Sequence, residues 1–275
     1  MEIAYYKDQF LTDVNEGVVP IQERGHQFGD GIYEVVRVYN KKPFMLEEHL
    51  DRFEQSAEAI ALKLPYSRDE LKEIIMEGIE RSEEQNVDVY FQLTRGIAPR
   101  LHFYPDTQAV LSLVVKPSKP LAEDKKRDGV AVHVMDDERW SNCYIKSLNL
   151  LPNVMAKQAA FEKGCDEAIL IRDEFVTEGS SSNLFVVKDG TLYTTPATRH
   201  ILHGITRKAV FILAERLQIP MKEEHFTLEF LKDADEAFIT STTSEVLPIK
   251  KVDDVNLPTH LTITHRLQKE FKTLY

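Results

Sequence analysis

Cysteine is scarce in this sequence: Cys143 and Cys165 are the only two among 275 residues. Two thiols make no disulfide framework, and neither sits in a paired metal-ligand spacing, so a reduced, cytoplasmic setting is expected. Long apolar runs are missing too. The most continuous, Val110 to Val115, is interrupted by Ser112 and fits a buried strand, far short of the roughly 20 residues of a bilayer-spanning helix. The opening MEIAYYKDQF has no basic region followed by an apolar stretch, so no signal peptide is expected. Positive charge is outnumbered, with 34 Lys and Arg against 45 Asp and Glu and a net charge of -11 with His neutral. That balance excludes a general nucleic-acid coat, which needs clustered basic residues, but allows a local basic pocket for a small anion. Familiar short motifs are absent as well: there is no G-x-G-x-x-G after a strand, no G-x-x-x-x-G-K-[ST], no H-E-x-x-H and no G-x-S-x-G. His200 and His203 lie three apart with no third ligand nearby, so no metal is expected.

What remains is a globular composition, 43% hydrophobic, long enough for one large domain or two modest ones. Ile32–Tyr39 reads as a strand, followed by a turn at Lys41-Lys42-Pro43. Leu50, Phe53, Ala57 and Ile60 recur at helical spacing over 47–62, and Ser67 can cap a second helix. Val87–Thr94 and Ala109–Lys116 are further strands. The stretch 116–129 is charged and holds two prolines, which marks a boundary between residues 1–120 and 121–275. Beyond it the pattern gives a strand at 130–135, a helix at 151–163 ended by Gly164, and a strand at 167–172. A hairpin over 183–194 turns at Asp189-Gly190, and helices follow at 206–217 and 262–274. Strands and helices do not alternate regularly, so two α+β domains are favoured over one doubly wound sheet.

Several polar clusters could carry chemistry. Arg24 to Gly31 holds three glycines before the strand with Tyr33, which fits either an ordinary loop or close backbone approach to a ligand. If Ile145 packs inward, Lys146 on a strand faces the other way; a lysine there is usually solvated, but one held in a pocket can form a Schiff base with a carbonyl. Glu178-Gly179-Ser180-Ser181-Ser182 is either a donor-rich site or a plain turn. Gly204-Ile205-Thr206-Arg207 opens a helix, where Thr206 is an N-cap or the backbone seats a phosphate. The run 240–245, TSTTSE, offers hydroxyls after a strand, and Arg52 can pair with Glu48 or reach an anion.

Six segments in order, FGDGIYEVV (28–36), HLDRF (49–53), IKSLN (145–149), EAIL with VTEGSSSN (167–183), GITR (204–207) and TSTTSE (240–245), resemble the fold-type IV pyridoxal-phosphate enzymes. This is the class IV aminotransferase family, with its branched-chain and D-amino acid aminotransferases, aminodeoxychorismate lyase and (R)-amine transaminases. The resemblance implies a smaller N-terminal two-layer domain, a larger C-terminal barrel-like domain and pyridoxal 5'-phosphate between them. It makes Lys146 the catalytic Schiff-base lysine and Glu178 the partner of the pyridine nitrogen. Arg52, Ile205 through its backbone N–H, Thr206 and Thr242 become phosphate contacts, Leu202 packs on the cofactor ring, and Ser181 lies in a cofactor-side hydrogen-bond network. Thr94-Arg95-Gly96 with Pro99-Arg100-Leu101-His102 is similar to the D-amino acid branch. There Arg100 and His102 reach across a homodimer interface to the substrate carboxylate, and Tyr33 completes the trap. The implied reaction is ping-pong amino transfer from a D-amino acid, D-alanine first, to a 2-oxo acid such as 2-oxoglutarate. Val252 to Pro258 replaces a glycine-containing turn common in the family, which bears on substrate range.

Overall fold

A computed structural model describes all residues, 1–275. The chain divides into two compact units, Met1–Lys119 with Ile145–Asn149, and Pro120–Tyr144 with Leu150–Tyr275. The first unit's long segment ends at Lys119. Ile145–Asn149, beyond that boundary, nevertheless belong to the first unit. Ile145 packs into its core, and Ser147 forms a β-bridge with Ile32.

The first unit is an antiparallel sheet of β1 (Ile3–Tyr6), β2 (Gln9–Phe10), β3 (Gly31–Tyr39), β4 (Lys42–Pro43), β5 (Val87–Thr94) and β6 (Val110–Pro117). Its spatial order is β2-β1-β6-β5-β3-β4. The glycine-containing stretch before β3 is more ordered than a loop. It forms a five-residue helix, α1 (Arg24–Phe28), that Gly29 ends in the left-handed region at φ 65°. Strand alternation sends Ile32, Val36, Val38, Val89, Phe91, Leu111 and Leu113 to one face of the sheet. There they bury against Leu50, Phe53 and Ala57 of α2 (Leu46–Ala59) and Leu71, Ile75 and Ile79 of α3 (Arg68–Ser82). Ser67 caps α3 in a full capping box with Glu70.

The second unit carries β7 (Val130–Asp136), β8 (Glu167–Arg172), β9 (Phe175–Gly179), β10 (Asn183–Lys188), β11 (Thr191–Thr194), β12 (Met221–Glu223), β13 (Glu236–Ser241), β14 (Glu245–Val252) and β15 (Val255–Asn256). They form one mixed sheet in the order β12-β11-β10-β13-β14-β7-β8-β9, with β15 on β14. The sheet curls. At one end Val176 of β9 donates its N–H to the carbonyl of Phe226, just past β12 at the other end, at 2.9 Å. The fold is therefore α+β with a barrel-like second unit. The charged stretch before β7 holds a short helix, Glu123–Asp128, with acids in its first turn and bases in its last, as the helix dipole favours. The replaced turn at 253–254 closes without glycine: Asp253 takes φ 48° and its carboxylate accepts from the His133 ring at 2.6 Å and the Val134 N–H at 3.1 Å.

The C-terminal helix Thr262–Phe271 has no side-chain cap from its own N-cap residue. Buried Glu236 of β13 serves instead, accepting from the N–H groups of Ile263 (2.9 Å) and Thr264 (2.8 Å) and the Thr264 hydroxyl (2.6 Å). Glu236→Ala is expected to cost about 1–3 kcal/mol, since it orphans buried donors. Denaturant unfolding should show the midpoint falling at constant slope.

Candidate active site

In the first unit, Tyr33 lies on the β3 face opposite the helices. Its ring stacks at a tilt with Tyr90, centroids 5.6 Å apart, and the Lys146 ammonium lies over it at 4.2 Å. Lys146 is not within a regular strand. It sits in a short extended run whose backbone is pinned at both ends: its N–H donates to the Ser56 hydroxyl (3.2 Å), and its carbonyl accepts from the Tyr33 N–H (2.9 Å). The ε-amine has no carboxylate partner. Lysine in a half-buried position normally finds one, so this amine is held by its backbone and left chemically available.

Behind Tyr33, Glu34 is the one charged residue on the buried face of β3. Its carboxylate accepts from Arg52 Nε (2.7 Å) and Nη2 (2.8 Å) and pairs with His49 Nδ1 (2.7 Å). His49 and Arg52 stand i,i+3 on α2, so one helix face delivers both. Arg52 thus pairs with Glu34 across the packing layer. Burial alone would raise the Glu34 carboxyl, yet Arg52 and His49 hold it well below the usual carboxylate range. Burial lowers His49, against the pull of Glu34, which favours the neutral ring.

Arg100 and His102 meet on Phe28. The Arg100 guanidinium lies 4.5 Å from the ring centre, and the His102 ring meets its edge at 5.5 Å. Arg24 fixes the loop by donating to the Leu101 carbonyl at 2.7 Å. Arg100 makes no ion pair within the chain, and no hydrogen bond, ion pair or ring contact joins Arg100 or His102 to Tyr33 or Lys146.

In the second unit, Glu178 of β9 is buried and its carboxylate accepts from three groups. Oε1 accepts from Arg139 Nη1 (2.5 Å), Oε2 from Asn183 Nδ2 (2.8 Å), and both share the Leu202 N–H (3.0 and 3.1 Å). Burial pushes its carboxyl up to about 7 even with the Arg139 guanidinium opposing. Asn183 Nδ2 also donates to the Leu202 carbonyl at 2.8 Å. Gly204 sits against the same asparagine: a Cβ there would lie 2.0 Å from its Oδ1, so only glycine fits. Gly204, not Thr206, is the N-cap of the helix Ile205–Arg216, and it supplies no side-chain cap. The N–H groups of Ile205, Thr206 and Arg207 therefore lack acceptors, an arrangement suited to an anion. The Ser241–Ser244 turn that carries Thr242 is tied by the Ser241 hydroxyl accepting from the Ser244 N–H at 3.0 Å. The Ser181 hydroxyl donates to Glu167 at 3.0 Å, alongside those of Ser180 and Ser182. It belongs to the turn's own support rather than to the Glu178 cluster. Leu202 contributes its backbone to that cluster, and its side chain is half-buried.

Glu34, His49, Arg139, Asn183 and Phe28 were not assigned roles from sequence. Only Glu34 carries a readable signal, as an acid at a core-facing position in the alternation Ile32, Glu34, Val36, Val38.

Residues 31–252 match the amino-transferase class IV family. A protein of Staphylococcus epidermidis strain RP62A named D-alanine aminotransferase is 43% identical over 276 residues, covering 99% of this chain and 97% of that protein. The branched-chain amino acid aminotransferase of Escherichia coli superposes with a TM-score of 0.92 at 25% identity, over 99% of this chain and 94% of that one. The branched-chain aminotransferase of the thermophilic archaeon Thermoproteus uzoniensis, solved with norvaline, gives a TM-score of 0.89 at 27% identity, over 98% of this chain and 93% of that one.

Proposed function

The chain belongs to the class IV aminotransferase family, and from that premise we propose that it moves the amino group of D-amino acids to 2-oxo acids, with D-alanine and 2-oxoglutarate giving pyruvate and D-glutamate. The observation that carries the D-amino acid reading is the Arg100–His102 pair displayed on Phe28, an unpaired guanidinium suited to a carboxylate. The near-full-length likeness to D-alanine aminotransferases supports it.

The residues present suit pyridoxal phosphate by their chemistry: an amine without an ion pair, a buried carboxylate, and a helix N-terminus with free N–H groups. When bound, that cofactor supplies a carbonyl carbon for Schiff-base formation and a ring that accepts electrons as the substrate Cα–H bond breaks. Lys146 Nζ would hold the cofactor and, as the free amine nearest the substrate Cα, would carry the Cα proton. Glu178 would hold a proton on the ring nitrogen. The N–H groups of Ile205 and Thr206, the Thr206 and Thr242 hydroxyls and Arg52 would bind the phosphate, and Leu202 would pack on the ring. Tyr33 with Arg100 and His102 binds the substrate carboxylate. No contact within the single chain joins Arg100 to Tyr33, so we read the chain as a homodimer in which this loop serves the partner's site. Exposed Leu101, Phe103 and Tyr104 on that loop, and Leu151, Val154 and Phe161 on one helix, are the apolar surface such a dimer would cover. No helix is long and apolar enough to cross a membrane, and two free thiols fit a cytoplasmic enzyme.

The test follows product formation from D-alanine with 2-oxoglutarate, beside L-alanine, L-leucine and (R)-1-phenylethylamine. D-Alanine should be turned over best. Turnover of L-leucine without D-alanine would establish the branched-chain reading instead. Arg100→Ala should lose kcat/KM on D-alanine by about a hundredfold, the weight of a charge-assisted carboxylate contact, and keep the bound cofactor's colour.

A further inference from the structure

The Glu178 carboxylate rests on a second buried charge cluster that the reaction as described does not use. Arg139 touches Glu178 with Nη1 at 2.5 Å, and its other edge grips Asp137, Nε to Oδ1 and Nη2 to Oδ2, both at 2.9 Å. Asp137 has no exposed side-chain surface and is tied further to Arg172 (3.2 Å) and the Thr177 hydroxyl (3.0 Å). Arg172 also donates to the Arg139 carbonyl at 2.7 Å. Arg139 thus cannot swing away from Glu178. The charged and titratable groups around Glu178 are Arg139, Asp137, Arg172 and the Cys143 thiol, which burial pushes up to about 11 and so keeps neutral.

We propose that Arg139 is the positioning residue that keeps Glu178 a carboxylate, so that the proton the two groups share sits on the cofactor's ring nitrogen and not on the glutamate. This rests on the reading of Glu178 as the ring-nitrogen partner. The guanidinium contacts the carboxylate itself, and a ring nitrogen bonded to that carboxylate lies farther from the guanidinium than the carboxylate does. Moving the shared proton from oxygen to nitrogen therefore moves positive charge away from Arg139 and restores its ion pair. Without Arg139, a fully buried glutamate has every reason to take the proton. The ring would then be neutral and a weaker electron acceptor. Asp137 and Arg172 hold the guanidinium in place and do not touch Glu178.

The test uses protein loaded with pyridoxal phosphate carrying nitrogen-15 in the ring, whose NMR shift separates protonated from free nitrogen. Glu178→Gln marks the free position. Wild type and Arg139→Lys should show a protonated nitrogen at pH 8, and Arg139→Met a free one. The pH at which the cofactor's visible band titrates should also move by more than a unit in Arg139→Met. Asp137→Asn, which loosens the clamp but keeps the Arg139 guanidinium, should give an intermediate shift and guards against an Arg139→Met protein that fails to fold. A protonated nitrogen in both Arg139→Met and Asp137→Asn, beside a protonated wild type, overturns the role of Arg139 alone. A free nitrogen in the wild type overturns both it and the reading of Glu178.

Discussion

Lys146→Ala is expected to lower D-alanine–2-oxoglutarate exchange by about ten-thousandfold or more while leaving the fold intact. The two roles proposed for Lys146, covalent attachment and proton carrier, would vanish together, and positioned proton transfer by itself is worth roughly 10²–10⁴. The structural cost is small because the side chain's one partner is the Tyr33 ring, a contact worth about 0.5–1 kcal/mol. The Ser56 and Tyr33 hydrogen bonds run to the Lys146 backbone and survive the substitution. Borohydride reduction of the cofactor-loaded wild type should label Lys146 and nothing else, and the alanine variant should take up no label. Retained activity, or a label on another lysine, would remove Lys146 from the chemistry. Thermal unfolding of the apoprotein should be nearly unchanged, which separates a catalytic loss from a folding one.

The largest stability effect is expected at Glu34. Its carboxylate has no exposed surface, and its two partners are buried as well, Arg52 at 7% and His49 at 1% exposure. Removing one member of a buried pair leaves an uncompensated charge and costs about 3–5 kcal/mol. In a chain of this size that lowers Tm by on the order of 10 °C. Glu34→Gln, which keeps the shape and one acceptor, should lose less than Glu34→Ala. Both should weaken pyridoxal-phosphate binding if Arg52 grips the phosphate, because Glu34 aims the guanidinium. The acid limb carries a sign that can be checked. Burial raises the Glu34 carboxyl, and Arg52 and His49 more than reverse it, leaving it depressed. Its stabilising contribution is thus present above the unfolded value of about 4.3 and is withdrawn as pH falls below it. Stability curves of wild type and Glu34→Ala should therefore converge as pH drops below 4. Parallel curves down to the acid limit would show that the pair adds nothing to folding.

The sequence was legible where physics is local. The β3 strand, the Ser67 cap and the Asp189-Gly190 turn each declare themselves within a few residues, and the structure has all three. Lys146 and Glu178 stood out because short motifs surround them. β14 did not stand out. Pro248 and the lysines at 250 and 251 disguise it, and the strand tolerates them through a register shift between Ile249 and Lys251. The supporting residues were hidden for a different reason. Arg139 lies 39 residues from Glu178 and Glu34 lies 18 from Arg52, and only strand register and helix packing bring them together. Asn183 stood within a quoted motif, but its two-handed grip on Glu178 and Leu202 needs the return of the chain past Ile201. The short helix α1 was masked by its glycines, which serve to end it and to let β3 begin.

The excursion of Ile145–Asn149 back into the first unit has a consequence for biosynthesis. Residues 120–144 must leave the ribosome before the stretch that completes that unit exists. At about 5–20 residues per second this delay is roughly one to five seconds, long compared with the collapse of an antiparallel sheet packed on two helices. Through that interval the nascent sheet presents the Gly31–Tyr33 edge without the hydrogen bonds that Lys146 and Leu148 later make there. An unpaired edge is where a growing chain is most open to pairing with a neighbour on the same messenger. The run carrying the proposed nucleophile is thus also the piece that closes this edge during synthesis.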